Sequence, residues 1–344
     1  MGLRQIVTAA LLLALTACVT PAPTDRAAAP QFRRGVNIIG YDPIWKDPAR
    51  ARFRQRHFGE IRRAGFDFVR VNLFAFQHMD AANRIDPKWL ERLDWVVREA
   101  TEAGLGVILD EHDFDACSKD VPMCRAKLPA FWRQVAPRYR SAPASVAFEL
   151  LNEPHAALDA PTWNAFFPEL LAIVRETNPT RTVVIGPTRW NNFAELPTLR
   201  LPEDDRNILV TFHYYDPFRF THQGASWTDL KELSGVAWGS GADRAQLRAD
   251  FAKVAEWARA NRRPVLLGEF GAYDRTGTPI EMRAAYTAAV AREAEAAGFG
   301  WAYWQFDSDF IVWDMARDQW VAPIRDALIP PAQAPGARSS SSVQ

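Results

Sequence analysis

The sequence predicts an α/β protein built as a single (β/α)8 TIM barrel. Eight short runs rich in apolar and β-branched residues alternate with stretches whose apolar residues recur at three- and four-residue spacings. Several of these stretches end in Gly or Asn, as helices commonly do. No Gly-rich phosphate-binding fingerprint follows the first run, so an open doubly wound sheet is the weaker interpretation.

Each strand is predicted from one apolar run and each helix from the pattern that follows it. The strands are expected at residues 34–39, 66–73, 106–110, 145–151, 182–186, 208–212, 264–268 and 300–304. The clearest helical patterns lie at residues 51–65, 87–104, 160–178, 243–261 and 280–298. No second linker interrupts this series. We therefore expect one catalytic domain at residues 32–329, without an appended binding module.

The two ends of the chain are expected to lie outside that domain. Residues 1–18 contain a positive start at Arg4, a short apolar run and the motif Leu-Thr-Ala-Cys, which resembles a bacterial lipoprotein signal lipidated at Cys18. The run is too short to span a bilayer. Cleavage near Ala17 as an ordinary secretory signal is the alternative. Residues 19–31 are predicted to be a flexible tether, and residues 330–344 a disordered low-complexity tail.

The expected location is outside the cytoplasm. The chain is predicted to be lipid-anchored to the periplasmic or outer cell membrane, or otherwise secreted. No Asp follows Cys18 as a retention signal, which favours the outer membrane in a Gram-negative source. In an oxidising compartment, Cys117 and Cys124 could close a small loop as a disulfide, although two free thiols remain an alternative. Two thiols cannot form a structural zinc site by themselves.

Composition limits the classes of partner. Lys+Arg and Asp+Glu both number 41, so the formal net charge is zero. This balance argues against nucleic acid or an anionic membrane surface as a partner, because either favours a basic protein. Membrane contact is expected only through Cys18, and the protein is expected to be a monomer. The 13 Trp residues exceed ordinary usage, and their flat rings suit the faces of sugars.

Polar residues follow the predicted strands at the point where each strand ends. In a (β/α)8 barrel these ends converge on one mouth, where catalysis takes place. Glu153 and Glu269 come directly after strands four and seven, which face each other across that mouth. Two carboxyl groups about 5 Å apart are the machinery of retaining glycoside hydrolysis. The alternative is that each carboxylate is only an ion-pair partner of a strand-end base such as Arg70.

The set of strand-end residues resembles glycoside hydrolase family 5, the (β/α)8 family of cellulases, mannanases and related endo-glycanases. The resemblance runs from about residue 34 to residue 310. The family carries a strand-two Arg, a strand-three His, Asn-Glu after strand four, His-x-Tyr after strand six, Glu after strand seven and Trp after strand eight. This sequence fills all of these positions, with Arg70, His112, Asn152, Glu153, His213, Tyr215, Glu269 and Trp304.

The resemblance implies that Glu153 is the acid/base and Glu269 the nucleophile. Arg70 and His213 are expected to donate hydrogen bonds that keep Glu269 ionised, because nearby donors and cations lower the pKa of a carboxyl group. Tyr215 is expected to donate to Glu269 or to the ring oxygen of the sugar.

Three further residues are expected to contact the sugar itself. Asn152 is expected to bind the 2-hydroxyl, through an interaction that strengthens in the transition state. His112 is expected to bind another hydroxyl group, and Trp304 to form a floor under the ring. No cofactor or metal is expected.

The predicted substrate is a β-linked oligo- or polysaccharide, with β-1,4-glucan first and β-mannan, xyloglucan or mixed-linkage glucan as alternatives. Trp190 with Asn191, Trp227 and Trp313 are candidate sugar-stacking residues or, alternatively, aromatic residues that only pack within loops. Two other functions stay open. The segment "DEHDFD", with Asp110, His112 and Asp113, could bind a divalent metal, and the barrel could bind carbohydrate without cleaving it.

Overall fold

Eight parallel strands close into a barrel in the computed structural model, which describes residues 32–274 and 277–331. Neighbours in the chain pair in order, and β1 pairs with β8 to complete the ring. The predicted fold is therefore confirmed, and the observed strand ends differ from the predicted ones by no more than two residues. The strands are β1 Arg34–Ile38, β2 Phe68–Leu73, β3 Gly106–Glu111, β4 Val146–Glu149, β5 Val183–Ile185, β6 Ile208–Tyr214, β7 Val265–Phe270 and β8 Gly300–Tyr303.

The helices surround the barrel and connect its strands. The five predicted helical patterns all form helices, because each buries one apolar stripe against the strands. The α-helical segments are Gln55–Arg63, Pro87–Glu102, Phe114–Lys119, Val121–Arg138, Ala160–Thr177, Phe218–Thr221, Gly241–Asn261, Ile280–Ala296 and Ala322–Leu328. Thr188–Asn191 forms a single turn whose last three residues have left-handed backbone angles. A short antiparallel pair, Trp313–Asp314 with Gln319–Trp320, follows β8.

The connection between β3 and β4 differs from the polar loop expected around the cysteines. Cys117 lies in the helix Phe114–Lys119 and Cys124 in the helix Val121–Arg138, and both are buried. Asp120 separates the two helices, because its side chain accepts from the backbone N–H of Met123 and caps the second one. The two cysteines form a disulfide that ties the helices together.

The base of the barrel, at the amino-terminal ends of the strands, is closed by its own apolar cluster. The cluster contains Phe32, Phe68, Ile108, Ala147, Val184, Leu209, Leu266 and Ala302. Phe32 packs edge-on against Phe68, with ring centroids 5.3 Å apart. Its carbonyl oxygen lies where a side chain on Gly300 would begin, so position 300 has room only for glycine. The first described residues therefore cross the base of the barrel.

The last described helix also ends at the base. Ile329 lies against Gly65, in the turn that leads from the first helix into β2. Both ends of the described domain thus lie opposite the carboxyl ends of the strands. The predicted signal at residues 1–18, the tether at 19–31 and all but the first two residues of the predicted tail lie outside the described residues. Among the helices that are described, none combines the length and the apolar character needed to cross a membrane.

Candidate active site

A cleft of about 720 Å³ opens at the carboxyl ends of the strands. Seven of the eight predicted site residues line this cleft: His112, Asn152, Glu153, His213, Tyr215, Glu269 and Trp304. Arg70 lies directly beneath it and has no exposed surface. The structure therefore brings together the whole set read from the strand ends, as the geometry of a barrel mouth requires.

Arg70 lies at the centre of the polar network under the cleft. Its Nη1 donates to Glu269 Oε1 at 2.8 Å, while Nε and Nη2 form a paired contact with Glu149 at 2.7 and 2.8 Å. Nη2 also donates to Asn152 Oδ1 at 2.7 Å and lies 3.1 Å from Asp110. Burial alone would lower the pKa of this guanidinium, but the carboxylates of Asp110, Glu149 and Glu269 outweigh it and raise that pKa well above its ordinary value.

The two candidate catalytic carboxylates lie close together. One carboxylate oxygen of Glu153 and one of Glu269 lie within 4.8 Å of each other and of a nitrogen of His213. Burial, followed by repulsion from Glu269, raises the pKa of Glu153 well above its ordinary value. Burial also raises the pKa of Glu269, but Arg70 and His112 oppose that shift. The environments therefore favour a proton on Glu153 and a charge on Glu269.

His213 contacts a different carboxylate from the one expected. Its Nδ1 lies 2.6 Å from Glu153 Oε1 and 3.5 Å from Glu269 Oε2, so its hydrogen bond is to Glu153. The prediction that His213 donates to Glu269 is therefore wrong. A register shift between β6 and β7 leaves Gly268 unpaired and aligns His213 with Glu269 along the strands, yet the ring nitrogen of His213 lies closer to Glu153. Burial lowers the pKa of His213 well below its ordinary value, which keeps the ring neutral near pH 7.

The two hydrogen bonds that Glu269 accepts agree with the expected arrangement. Tyr215 donates its hydroxyl to Glu269 Oε2 at 2.9 Å, so Glu269 accepts from both Arg70 and Tyr215. Trp304 is almost buried and lines the cleft. Its ring lies parallel to that of His112 at a centroid distance of 5.7 Å and meets Tyr41 edge-on at 6.2 Å.

The strand-three residues that suggested a metal site face different partners. His112 Nδ1 lies 2.6 Å from Asp110 Oδ2, and Asp110 also faces Arg70. Asp113 accepts from the backbone N–H of Phe76. Among the residues that the structure describes, one group of three ligand-type side chains lies close enough to hold a cation, and it consists of Glu153, His213 and Glu269. The segment "DEHDFD" therefore does not form the metal cluster that was considered.

Aromatic residues form the rim of the cleft. Across the described part of the chain, the large apolar side chains recorded as exposed are Tyr41, Trp190, Phe218 and Trp227, at 43–58% of their surface, and all four line this cleft. Isolated exposed aromatic residues are ordinary, but their concentration at one site marks a binding surface. Trp313, a candidate from sequence, is instead buried against Phe306 and Trp320. Asn191 is also buried and does not stack at the surface.

Several residues of the site were missed in the sequence. Glu149 forms the two-hydrogen-bond ion pair with Arg70. In the sequence it looks like part of an apolar strand. Only its alternation with Phe148 and Leu150 could have shown that its side chain points inward. His155 stacks on Trp190 at a centroid distance of 4.5 Å and carries no distinctive motif. Tyr41 lies three residues beyond the end of β1, a strand end for which no site residue was predicted.

Comparison with known proteins gives consistent results. A family model described as cellulase, glycosyl hydrolase family 5, matches residues 30–309. Endoglucanase H of Acetivibrio thermocellus is 28% identical over 306 residues, which cover 86% of this chain and 32% of that protein. The chain thus spans about a third of the length of that curated relative.

Solved structures match over nearly the whole barrel. Thermotoga maritima Cel5A in complex with cellobiose superimposes with a TM-score of 0.83 at 34% identity, over 88% of this chain and 98% of that one. The complex of the same protein with mannotriose gives the same TM-score and identity, over 87% and 98%. The cellulose synthase subunit Z of Clostridioides difficile matches with a TM-score of 0.81 at 33% identity, over 87% and 99%.

Proposed function

The chain belongs to glycosyl hydrolase family 5, and from that membership we propose that it is a retaining endo-β-1,4-glucanase. The observation that carries the retaining mechanism is the approach of Glu153 and Glu269 to within 4.8 Å. Retaining glycosidases have carboxyl groups about 5–5.5 Å apart, whereas inverting ones leave about 6.5–9.5 Å for a water molecule. The hydrogen bonds to Glu269 from Arg70 and Tyr215 support its assignment as the nucleophile.

The proposed reaction proceeds in two displacements. Glu269 attacks the anomeric carbon, the bond from that carbon to the leaving oxygen breaks, and the proton of Glu153 passes to that oxygen. Glu153, now a carboxylate, then removes a proton from a water molecule that attacks the same carbon. The bond to Glu269 breaks and both carboxyl groups return to their starting states. Asn152 and His112 line the cleft beside the pair, where they can bind the hydroxyl groups of the sugar.

The rate is expected to depend on pH in a bell-shaped manner. Activity requires a charged Glu269 and a protonated Glu153, so kcat/KM falls as pH drops through the lower apparent pKa of the pair and again as pH rises through the higher one. Because the pKa of Glu153 lies well above its ordinary value, the alkaline limb is expected to be displaced upward from the ordinary range of a carboxyl group. A kcat/KM profile between about pH 4 and pH 9 checks this, and an alkaline limb centred near pH 4.5 would contradict it.

Two observations favour β-1,4-glucan over other β-glycans, and one keeps mannan open. Endoglucanase H is named for action on glucan, and Cel5A has been solved with cellobiose. Cel5A has also been solved with mannotriose, so the same framework accepts a manno-oligosaccharide. The exposed rings of Trp190 and Trp227 supply flat surfaces for successive sugar units on either substrate.

Trp190 is expected to bind the leaving-group side of the substrate. It stacks on His155, two residues beyond the proposed acid Glu153, which acts on the leaving oxygen. The variant Trp190→Ala is expected to raise KM for cello-oligosaccharides about 3- to 10-fold, as the loss of one aromatic contact implies. Its kcat/KM for an aryl cellobioside, which has no sugar on that side, is expected to stay within about twofold. Trp227→Ala is the matched comparison. If Trp190→Ala lost equally on cello-oligosaccharides and on the aryl cellobioside, the placement of Trp190 on the leaving-group side would be contradicted.

The proposed function is tested first by reducing-sugar release from soluble β-glucan, β-mannan and xylan, with wild type compared with Glu269→Ala. Release from β-glucan that disappears in the variant supports the proposal, and preferential release from mannan moves the substrate class to the alternative. A folded wild type that releases sugar from none of the three would sink the hydrolase proposal and favour a carbohydrate-binding barrel.

A further inference from the structure

The turn after β5 has an unusual backbone. Arg189, Trp190 and Asn191 are consecutive residues other than glycine with φ of 54°, 59° and 52°. Such left-handed angles cost roughly 1–2 kcal/mol per residue and are best tolerated by Asn and Asp. The turn directs Trp190 outward to the cleft rim and Asn191 inward, where no part of it is exposed. Strained backbone of this kind persists where the surrounding structure holds it in place, and it is concentrated at functional sites.

Asn191 is directed at His213. Its Nδ2 lies 3.2 Å from His213 Nε2, and Asn192 is bridged to His213 through the backbone. Glycines on both flanking strands make room for this pair. A side chain on Gly186 would collide with the amide of Asn191, and one on Gly268 would come within 2.9 Å of His213 Nε2. The contact is therefore enclosed by protein on both sides.

The surroundings of the His213 ring decide which nitrogen carries its proton. Nδ1 faces Glu153 Oε1 at 2.6 Å and Glu269 Oε2 at 3.5 Å. With the proton of Glu153 on its other oxygen, Oε2, both facing oxygens are acceptors, and an unprotonated Nδ1 would place its lone pair against them. The neutral ring therefore carries its hydrogen on Nδ1. Nε2 is then an acceptor that needs a donor, and the Nδ2 group of Asn191 supplies it.

We propose that Asn191 is a positioning residue for the acid/base. By donating to Nε2 it holds His213 in the tautomer whose Nδ1–H donates to Glu153 Oε1. That hydrogen bond occupies Oε1 and leaves Oε2 as the oxygen that delivers the proton to the leaving group and later receives one from water. The inference rests on the proposed glycosidase function, because it concerns the acid/base role of Glu153.

The isosteric variant Asn191→Asp tests the proposal. Asp tolerates the same backbone angles but offers no donor, so Nε2 must itself become the donor. The kcat/KM for cellotetraose, whose leaving group needs a proton, is expected to fall about 10- to 100-fold. The kcat/KM for 2,4-dinitrophenyl β-cellobioside, whose leaving group departs unprotonated, is expected to change less than about threefold. The variant Asn191→Gly relaxes the backbone, also removes the donor and should show the same contrast.

Two controls separate positioning from structural damage. Asn261→Asp makes the same substitution at an exposed position at the end of a surface helix and should leave both kcat/KM values unchanged. Nitrogen NMR of His213 reads the tautomer directly, and we expect the proton on Nδ1 in wild type and on Nε2, or on both nitrogens, in Asn191→Asp.

The outcomes distinguish this inference from the proposed function. An equal loss on both substrates, or no loss on cellotetraose, would overturn the role of Asn191 while leaving the glycosidase intact. A proton on Nε2 in wild type would overturn it as well. If wild type cleaves neither substrate nor any polysaccharide, the proposed function fails, and the NMR measurement still decides whether Asn191 sets the tautomer of His213.

Discussion

Replacing Glu269 with glutamine is expected to lower kcat for β-glucan hydrolysis on the order of 10⁵-fold, as loss of a covalent nucleophile does in other enzymes. The amide keeps the size of the side chain, its oxygen can still accept from Arg70, and its NH2 group then faces the Tyr215 hydroxyl, which can accept from it. It cannot, however, form the glycosyl ester. The fold is expected to be retained, with a change in the free energy of unfolding within about 1 kcal/mol. Steady-state rates and thermal unfolding of the same preparation check both parts.

Glu149→Gln is the matched control for this variant. Glu149 is also a buried carboxylate held by Arg70, but it does not line the cleft. Its replacement weakens a paired ion contact and is expected to lower the free energy of unfolding by about 1–3 kcal/mol while kcat falls less than about tenfold. Equal losses of kcat in the two variants would show that charge under the cleft, rather than a nucleophile at position 269, controls the rate.

Replacing Arg70 with methionine is expected to have the largest effect on stability. The change removes the cation shared by Glu149, Glu269 and Asp110, all of which are buried. Removing one partner of a buried ion pair costs about 3–5 kcal/mol, equivalent here to a fall in Tm of about 6–15 °C. Activity is expected to disappear as well, because Glu269 loses both its orienting donor and the charge that favours its ionised form.

The loss of stability in Arg70→Met is expected to depend on pH with a definite sign. Burial already raises the pKa of Glu149 and the pKa of Asp110, the latter to about 7, and Arg70 opposes both shifts. Without Arg70 these pKa values rise further, so the folded variant gains stability from protonation at low pH and loses it as pH rises. The deficit relative to wild type should therefore be larger at about pH 8 than at about pH 5. A deficit that is the same at both would show that lost packing, rather than unpaired charge, destabilises the variant.

Arg181→Met serves as the control for removing a buried arginine. Arg181 is enclosed near the base of the barrel, where its guanidinium donates to the backbone carbonyls of Val146 and Tyr139 and to three other acceptors. Its loss should also lower Tm, but kcat per folded molecule should be unchanged because the cleft is at the other end of the barrel. A fall in kcat in both variants would point to general loosening of the fold.

The residues at the strand ends could be found from the sequence because a parallel barrel imposes simple geometry. Once the eight strands are located, the side chains near their carboxyl ends must meet at one mouth, so Glu153 and Glu269 are brought together by topology alone, with Arg70 of β2 beneath them. Residues 110 and 112 follow the same rule. What the rule cannot supply is register. The bulge at Gly268 that sets the pairing of His213 with Glu269 leaves no mark in the apolar pattern, and neither does the direction of the His213 ring toward Glu153.

The loops were less accessible to prediction for a different reason. Trp190 and Trp313 look alike in sequence, since both are Trp residues that follow a strand of the barrel. Their fates differ because the left-handed turn at 189–191 exposes Trp190, while Phe306 and Trp320 cover Trp313. Asn191 was grouped with Trp190 as a surface candidate for the same reason. Only the backbone angles separate its inward direction from that of its neighbour.

The position of the two ends of the described domain has a consequence for attachment. Phe32 and Ile329 lie at the base of the barrel, whereas the cleft opens at the opposite end. A segment or a solid support attached directly before Phe32 or directly after Ile329 would leave on the far side of the domain from a bound polysaccharide. Immobilising the domain at residue 32 or residue 329 should therefore leave the mouth of the barrel facing free solution, where a long polymer can reach it from both sides.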